Sequence, residues 1–185
     1  MSNKDLALLV IDMQLVAFDG KITPPISNSE ELLDNISNLI ETCRQKNIPI
    51  VYLQTCAASG QPYAKDMHGW EIHPKLTPKE SDSIVFKVQS NGFEDTNLNE
   101  VLTEIGAKKL ISCGIWSEFC VTATSEAALE LGYEVWVAGD GHSTVAASED
   151  EATRVVAKQN QRLKELKAVV LNLESIAVKL STAIS

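Results

Sequence analysis

The feature that most constrains this chain is an alternation. Short runs of apolar, often β-branched residues are followed by longer stretches whose apolar positions recur three and four apart. Residues 6–12 (LALLVID) are apolar without interruption until they meet an acid. Residues 27–46 then carry Leu32, Leu33, Ile36, Leu39 and Ile40 at helical spacing, with Ser27-Asn28-Ser29-Glu30 as a capping signal. Residues 49–54 (PIVYLQ) and 83–87 (SIVFK) read as the second and third strands. Helix and strand then alternate: helix 97–106, strand 109–113, helix 117–131 closed by Gly132, strand 133–138, helix 145–166, strand 168–171 and a short helix beyond Leu173. A strand apolar on both faces has to be covered on both, as in a parallel sheet between two helical layers. The predicted fold is therefore α/β: a three-layer αβα sandwich with a central six-stranded parallel sheet, Rossmann-like, in one domain over residues 1–185.

Residues 55–82 interrupt the pattern with 28 residues of weak periodicity. Loops of that length in compact domains are commonly lids or binding loops. Lys plus Arg number 16 against 25 Asp plus Glu, a net charge of −9, which opposes binding to nucleic acid or to an anionic membrane surface. The first apolar run is too short to span a bilayer and carries no cleavage site, so a cytoplasmic chain is expected. Cys43, Cys56, Cys113 and Cys120 form no C-x-x-C pair, and a disulfide framework is not expected.

Ligands of such sheets bind beyond the carboxyl ends of the strands. Strand one ends at Asp12, strand three at Lys87 and strand five at Asp140, while strand four runs into Gly114-Ile115-Trp116-Ser117-Glu118-Phe119-Cys120 at a helix start. An acid, a base and a thiol thus converge on one edge. A thiol in a first helical turn, near an ammonium, is favoured as thiolate. Asp12 could take its proton and later deliver it to a leaving group. Each residue also has a plainer reading: Cys120 as a buried core cysteine, Asp12 as a turn cap, Lys87 as a solvated base. The joint placement is what favours chemistry. Cys113 and Cys43 read as core, and Cys56 has no evident partner.

Three blocks carry a resemblance. Leu9-Val10-Ile11-Asp12-Met13-Gln14 opens the chain. The middle holds Gly69-Trp70-Glu71-Ile72-His73-Pro74, Phe86-Lys87, Asn91-Gly92-Phe93 and Thr96-Asn97-Leu98. The third is Gly114-Ile115-Trp116-Ser117-Glu118-Phe119-Cys120-Val121 with Gly132-Tyr133-Glu134-Val135 and Asp140. In this order, from Leu6 to about Leu171, they resemble the isochorismatase-like cysteine hydrolases. The resemblance implies Cys120 as nucleophile, Asp12 as proton acceptor and Lys87 as the cation holding the pair ionised. It implies a cis peptide between Ile115 and Trp116, with the Trp116 and Cys120 N–H groups forming an oxyanion hole. Ser117 stands where many relatives carry Thr. The implied reaction is cleavage of a C–N bond in a small amide through a thioester, in a homo-oligomer (dimer or tetramer). Ala123, Ala127 and Ala128 on the helix after Cys120 would allow close subunit contact.

Gln14 is expected to hydrogen-bond near the nucleophile, and Phe18, Trp70, Phe93 and Trp116 to wall a small, partly apolar pocket. No cofactor and no metal are expected, because residues 54–59 (QTCAAS) lack the Asp-x-His that binds metal in the family's nicotinamidases. His68 and His73 are read as polar loop residues and His142 as a surface histidine. One alternative is isochorismatase chemistry, hydrolysis of a vinyl ether on a dicarboxylate. Its dianion needs basic partners. Arg44, Arg154 and Arg162 lie on predicted helices away from the strand ends, leaving Lys65, Lys75 and Lys79. A second alternative is a non-enzymatic nucleotide-binding module. The chain has no G-x-x-x-x-G-K-[ST], no G-x-G-x-x-G follows strand one, and Gly139–Thr144 is read as a turn with Asp140 braced at the sheet edge.

Overall fold

The computed structural model describes residues 5–182. Six strands form one parallel sheet in the order β3-β2-β1-β4-β5-β6: β1 (Leu6–Ile11), β2 (Ile50–Thr55), β3 (Ser83–Lys87), β4 (Lys109–Ile115), β5 (Glu134–Ser143) and β6 (Val169–Leu171). The helices are α1 (Ser29–Gln45), α2 (Leu98–Glu104), α3 (Thr122–Glu130), α4 (Glu149–Glu165) and α5 (Leu173–Thr182). This is the α/β sandwich the sequence predicts. Strand order reverses between β1 and β4, and such a reversal opens a crevice at the carboxyl edge.

Alternation along the strands splits the core into two layers. Leu6, Leu8 and Val10 of β1 pack with Ile50 and Tyr52 of β2 against Leu33, Ile36 and Ile40 of α1 and Ile176 of α5. Ala7, Leu9 and Ile11 pack with Val51 and Leu53 against Leu98 and Leu102 of α2 and Leu163 of α4. All six residues of β1 are buried. Truncating one such side chain, Leu8 to Ala for instance, costs on the order of 2–5 kcal/mol. Cys43 and Cys113 sit in the first layer, as the sequence suggests. Burial pushes the Cys43 thiol up to about 12 and the Cys113 thiol higher still.

Two local expectations need correction. The α1 helix starts at Ser29 after a left-handed Asn28, with no side-chain cap, while Ser148 caps α4 by accepting from the Glu151 N–H. Strand β5 does not end at Ala138. It bulges through Gly139, Asp140 and Gly141 and rejoins β4, with His142 opposite Gly114 and Ser143 opposite Ile115. Asp140 accepts from the Leu173 N–H at 2.8 Å and so anchors the start of α5. Residues 55–82, the weakly periodic segment, carry short structure of their own. They contain 3-10 turns at His68–Trp70 and Pro74–Leu76 and dock as a bridge, Ile72 beside Gln14, with the Leu15 N–H on the Glu71 carbonyl.

Candidate active site

Lys87 and Thr55 are register partners at the ends of β3 and β2, and Asp12 follows the end of β1. Neighbouring strands lie about 4.8 Å apart, so a side chain on β3 has to cross β2 to reach β1. Lysine is long enough. Its Nζ lies 2.7 Å from Asp12 Oδ2, and each side chain is 1% exposed. The Thr55 hydroxyl fills the space between them, accepting from Lys87 Nζ at 2.9 Å and donating to Asp12 Oδ1 at 2.9 Å. The Gln89 carbonyl, at 3.1 Å, takes a further ammonium proton. Burial alone would lower the Lys87 pKa, but the Asp12 carboxylate and then the Cys120 sulfur outweigh it and hold the ammonium above its ordinary range. Asp12 itself has left-handed backbone, φ 53°.

Cys120 Sγ lies 3.3 Å from Lys87 Nζ, so the structure brings the predicted acid, base and thiol together. The turn carrying it differs from the prediction. Ser117–Val121 forms a π-turn, with the Val121 N–H on the Trp116 carbonyl at 3.1 Å, and α3 begins only at Thr122. Such turns are frequent at functional sites. The Ile115–Trp116 peptide is cis. Gly114, φ +125°, has to be glycine, since a Cβ there would lie 2.1 Å from the Ile11 carbonyl oxygen.

The charge state also needs correction. A resting thiolate was expected, but burial and the adjacent Asp12 carboxylate push the Cys120 thiol up to about 12, against the downward pull of Lys87. Burial and the carboxylate thus favour the neutral thiol. The arrangement is a neutral thiol between a carboxylate able to accept its proton and an ammonium able to stabilise the resulting anion.

On the other flank, His142 is 3% exposed, not a surface residue. Asn160 donates its amide to the Gly139 carbonyl at 2.9 Å, which turns its Oδ1 to His142 Nε2 at 3.0 Å. That network assigns the proton to Nε2, so Nδ1 accepts from the Ser117 hydroxyl at 2.8 Å. Burial lowers the His142 pKa and keeps the ring neutral. Thr122 Oγ1 donates to the Ser117 carbonyl and Thr144 Oγ1 to Glu118, so the turn is held from β5 and from α3.

Other predicted contacts are used elsewhere. Gln14 is fully buried and spends its amide on backbone, donating to the Thr55 and Trp70 carbonyls and accepting from the Thr55 N–H. It stitches the long loop to the sheet. The Trp70 ring stacks on Phe86 at 5.9 Å on the exposed face of β3, opposite Lys87, under the Lys65 ammonium. Phe93 lies 6.0 Å from Tyr133, which precedes β5 at the far edge of the sheet. Phe18 packs on His73 at 5.1 Å. Trp116, half-buried against both core layers, stays in the nucleophile turn. His68 is exposed, and His73 caps the following turn through Nδ1. Arg44 pairs with Asp82, Arg162 with Glu126, and Lys75 with Glu30 and Asp34. Among the described residues no three His, Cys, Asp or Glu side chains converge as a metal site, and no helix is long and apolar enough to cross a membrane.

Two residues at this site escaped the sequence reading. Thr55 has a faint signal, a hydroxyl at the end of the strand between those bearing Asp12 and Lys87. Tyr63 has none, since only the loop's path brings it to the Trp116 side chain and within the field of Asp12 and Cys120.

A profile of the isochorismatase domain matches residues 6–170. The chain belongs to the isochorismatase family. It is 35% identical over 161 residues to a streptothricin hydrolase of Streptomyces noursei, covering 86% of this chain and 58% of that protein. It is 37% identical over 140 residues to the secreted isochorismatase effector Isc1 of Verticillium dahliae, covering 75% and 73%. The structure of a putative isochorismatase hydrolase from Oleispira antarctica superposes with a TM-score of 0.88 at 28% identity, covering 96% of this chain and 98% of that one. The chain spans little more than half the length of the streptothricin hydrolase.

Proposed function

We propose that this isochorismatase-family protein is a cysteine amidohydrolase that cleaves the C–N bond of a small amide. The observation that carries this reading is a thiol sulfur 3.3 Å from a buried ammonium that is itself paired with a carboxylate. Asp12 takes the thiol proton as sulfur attacks the amide carbonyl. The Trp116 and Cys120 N–H groups stabilise the oxyanion, and Lys87 stabilises the sulfur as charge develops. Asp12 then gives its proton to the leaving nitrogen, the C–N bond breaks, and an acyl thioester remains on Cys120. Water, deprotonated by Asp12, attacks that thioester, releases the acid and returns the proton to sulfur.

Charge balance favours an amide over a dicarboxylate. Lys87 is already matched by Asp12, and Arg44, Arg162 and Lys75 are paired elsewhere. Kinship with the streptothricin hydrolase supports testing streptothricin beside simple amides as a candidate substrate. The test is a screen of primary amides, N-carbamoyl compounds, streptothricin and isochorismate, run on the wild type and on Cys120→Ala. Turnover of an amide that vanishes in Cys120→Ala supports the reading. Turnover of isochorismate alone, or hydrolysis that persists without the thiol, contradicts it.

A further inference from the structure

We propose that Gln159 and Asn160, adjacent on α4, are positioning residues for the nucleophile turn, and that together they hold the hydroxyl and the carbonyl of Ser117, which opens it. The proposal deepens the amidohydrolase reading and rests on it for the reaction that the turn serves.

One grip passes through Thr122. The buried residues of α4 are Ala152, Gln159 and Leu163, spaced as one helical face, and Leu163 lies in the second core layer. Gln159 is 8% exposed in that face, where an amide costs stability unless it finds a partner. Its side-chain amide lies 3.3 Å from the Thr122 hydroxyl, and that hydroxyl donates to the Ser117 carbonyl at 2.6 Å. A hydroxyl has one proton, and the shorter bond takes it. The Gln159 amide is therefore assigned with its nitrogen towards Thr122, donating to the hydroxyl oxygen. Stability alone would accept leucine at 159, which continues the apolar face.

The other grip passes through His142. Consecutive helical residues point about 100° apart, so Asn160 reaches β5 while Gln159 reaches Thr122. Asn160 Oδ1 meets His142 Nε2 at 3.0 Å, and His142 Nδ1 takes the Ser117 hydroxyl at 2.8 Å. Asn160 Nδ2 is anchored on the Gly139 carbonyl at 2.9 Å. Glycine leaves room for that approach, since a Cβ at 139 would lie 3.2 Å from Asn160 Nδ2 and 2.9 Å from Val170. The helix carrying both amides is itself fixed at its start, where Ser148 caps it and the Glu151 carboxylate accepts from the Ala147 N–H. In the chain Ser117 lies between Trp116 and Cys120, whose N–H groups are the oxyanion donors of the proposed mechanism. Holding Ser117 on two sides therefore fixes where those donors point.

The test compares Gln159→Leu and Asn160→Leu with the wild type. Leu163→Val, which thins the packing of the same helix and removes no hydrogen bond, is the control. Each is read for melting temperature, for kcat and KM on a hydrolysed amide, and for the rate at which iodoacetamide modifies the Cys120 peptide, followed by mass spectrometry. In that modification sulfur forms the S–C bond, iodide leaves, and the thiol proton passes to Asp12. Gln159→Leu is expected to lower kcat about fivefold and Asn160→Leu about tenfold, with KM changed less than about twofold. Gln159→Leu should keep the wild-type melting temperature, so its loss of kcat is not a loss of fold. Leu163→Val should lower the melting temperature and leave kcat unchanged. Alkylation should slow in both amide variants and not in the control. Wild-type kcat and wild-type alkylation in either folded amide variant would overturn the proposal, as would a raised KM at unchanged kcat. Should Asn160→Leu not fold, Gln159→Leu decides alone. Alkylation needs no turnover, so its slowing supports the positioning role even where no amide is hydrolysed.

Discussion

On one side of Cys120 lies a charged cluster, Asp12, Thr55 and Lys87; on the other lies a neutral one, Ser117, His142 and Asn160. Both are buried at the carboxyl edge of the sheet, yet they are built oppositely. In the neutral cluster the chain from Ser117 through His142 and Asn160 ends on the Gly139 carbonyl. These bonds tie the Ser117 turn to β5 and α4, so the cluster's effect is to fix the turn. In the charged cluster the Lys87 ammonium has four polar neighbours within 3.3 Å, and one of them is the thiol. On the proposed mechanism it is here that a proton moves between sulfur and carboxylate. The contrast teaches that the two flanks divide the work: one braces the turn that carries Cys120, and the other brings the charges that the proposed mechanism uses.

The largest expected effect comes from breaking the charged side. Asp12→Asn should lower kcat/KM by about 10³-fold or more, since it removes the proton acceptor. It also leaves Lys87 a buried cation without its partner, so stability should fall by roughly 3–5 kcal/mol, read by urea denaturation. Thr55→Val should cost less. It removes two hydrogen bonds to charged groups but leaves the ion pair, and a loss of about 10–100-fold in kcat/KM is expected with KM little changed. His142→Gln should lower activity only severalfold, because its action on Cys120 passes through Ser117.

Titration sharpens the same contrast, because the two flanks fail at opposite ends of the pH scale. His142 has a folded pKa below the ordinary 6.5. Its contribution to stability is therefore complete above pH 6.5 and is lost as pH falls, by up to about 1.4 kcal/mol per unit. The Cys120 thiol is raised from 9.0 to about 12. Its contribution is complete below pH 9.0 and is lost as pH rises towards 12. Melting curves should show the acid loss shrinking in His142→Gln and the alkaline loss shrinking in Cys120→Ala. Exchange of those two signatures would break the comparison.

The sequence made one flank far more legible than the other. Asp12 and Lys87 could be found because each closes an apolar strand, and Cys120 because it opens the helical stretch after strand four. Sheet topology then forces such ends together. His142 was misread as a surface residue because Gly139-Asp140-Gly141 has the composition of a turn. In the fold the same glycines let β5 bulge and rejoin β4, which carries His142 into the interior. The π-turn at Cys120 was read as α-helix, since one extra residue in a single turn leaves the apolar spacing almost unchanged. Gln14 and Trp70 were placed at the ligand because polar and aromatic residues near a strand end suggest contact. Their partners, the Thr55 carbonyl and the Phe86 ring, lie 41 and 16 positions along the chain, respectively, beyond the reach of local pattern.

The measurement that bears most directly on the account is intact-protein mass spectrometry on enzyme acid-quenched during turnover of a hydrolysed amide, followed by peptide mapping. A transient mass increase equal to the acyl group, located on Cys120 and absent from Cys120→Ala, is the predicted result. Full turnover with Cys120 unmodified at every quench time, and undiminished hydrolysis by Cys120→Ala, would contradict it.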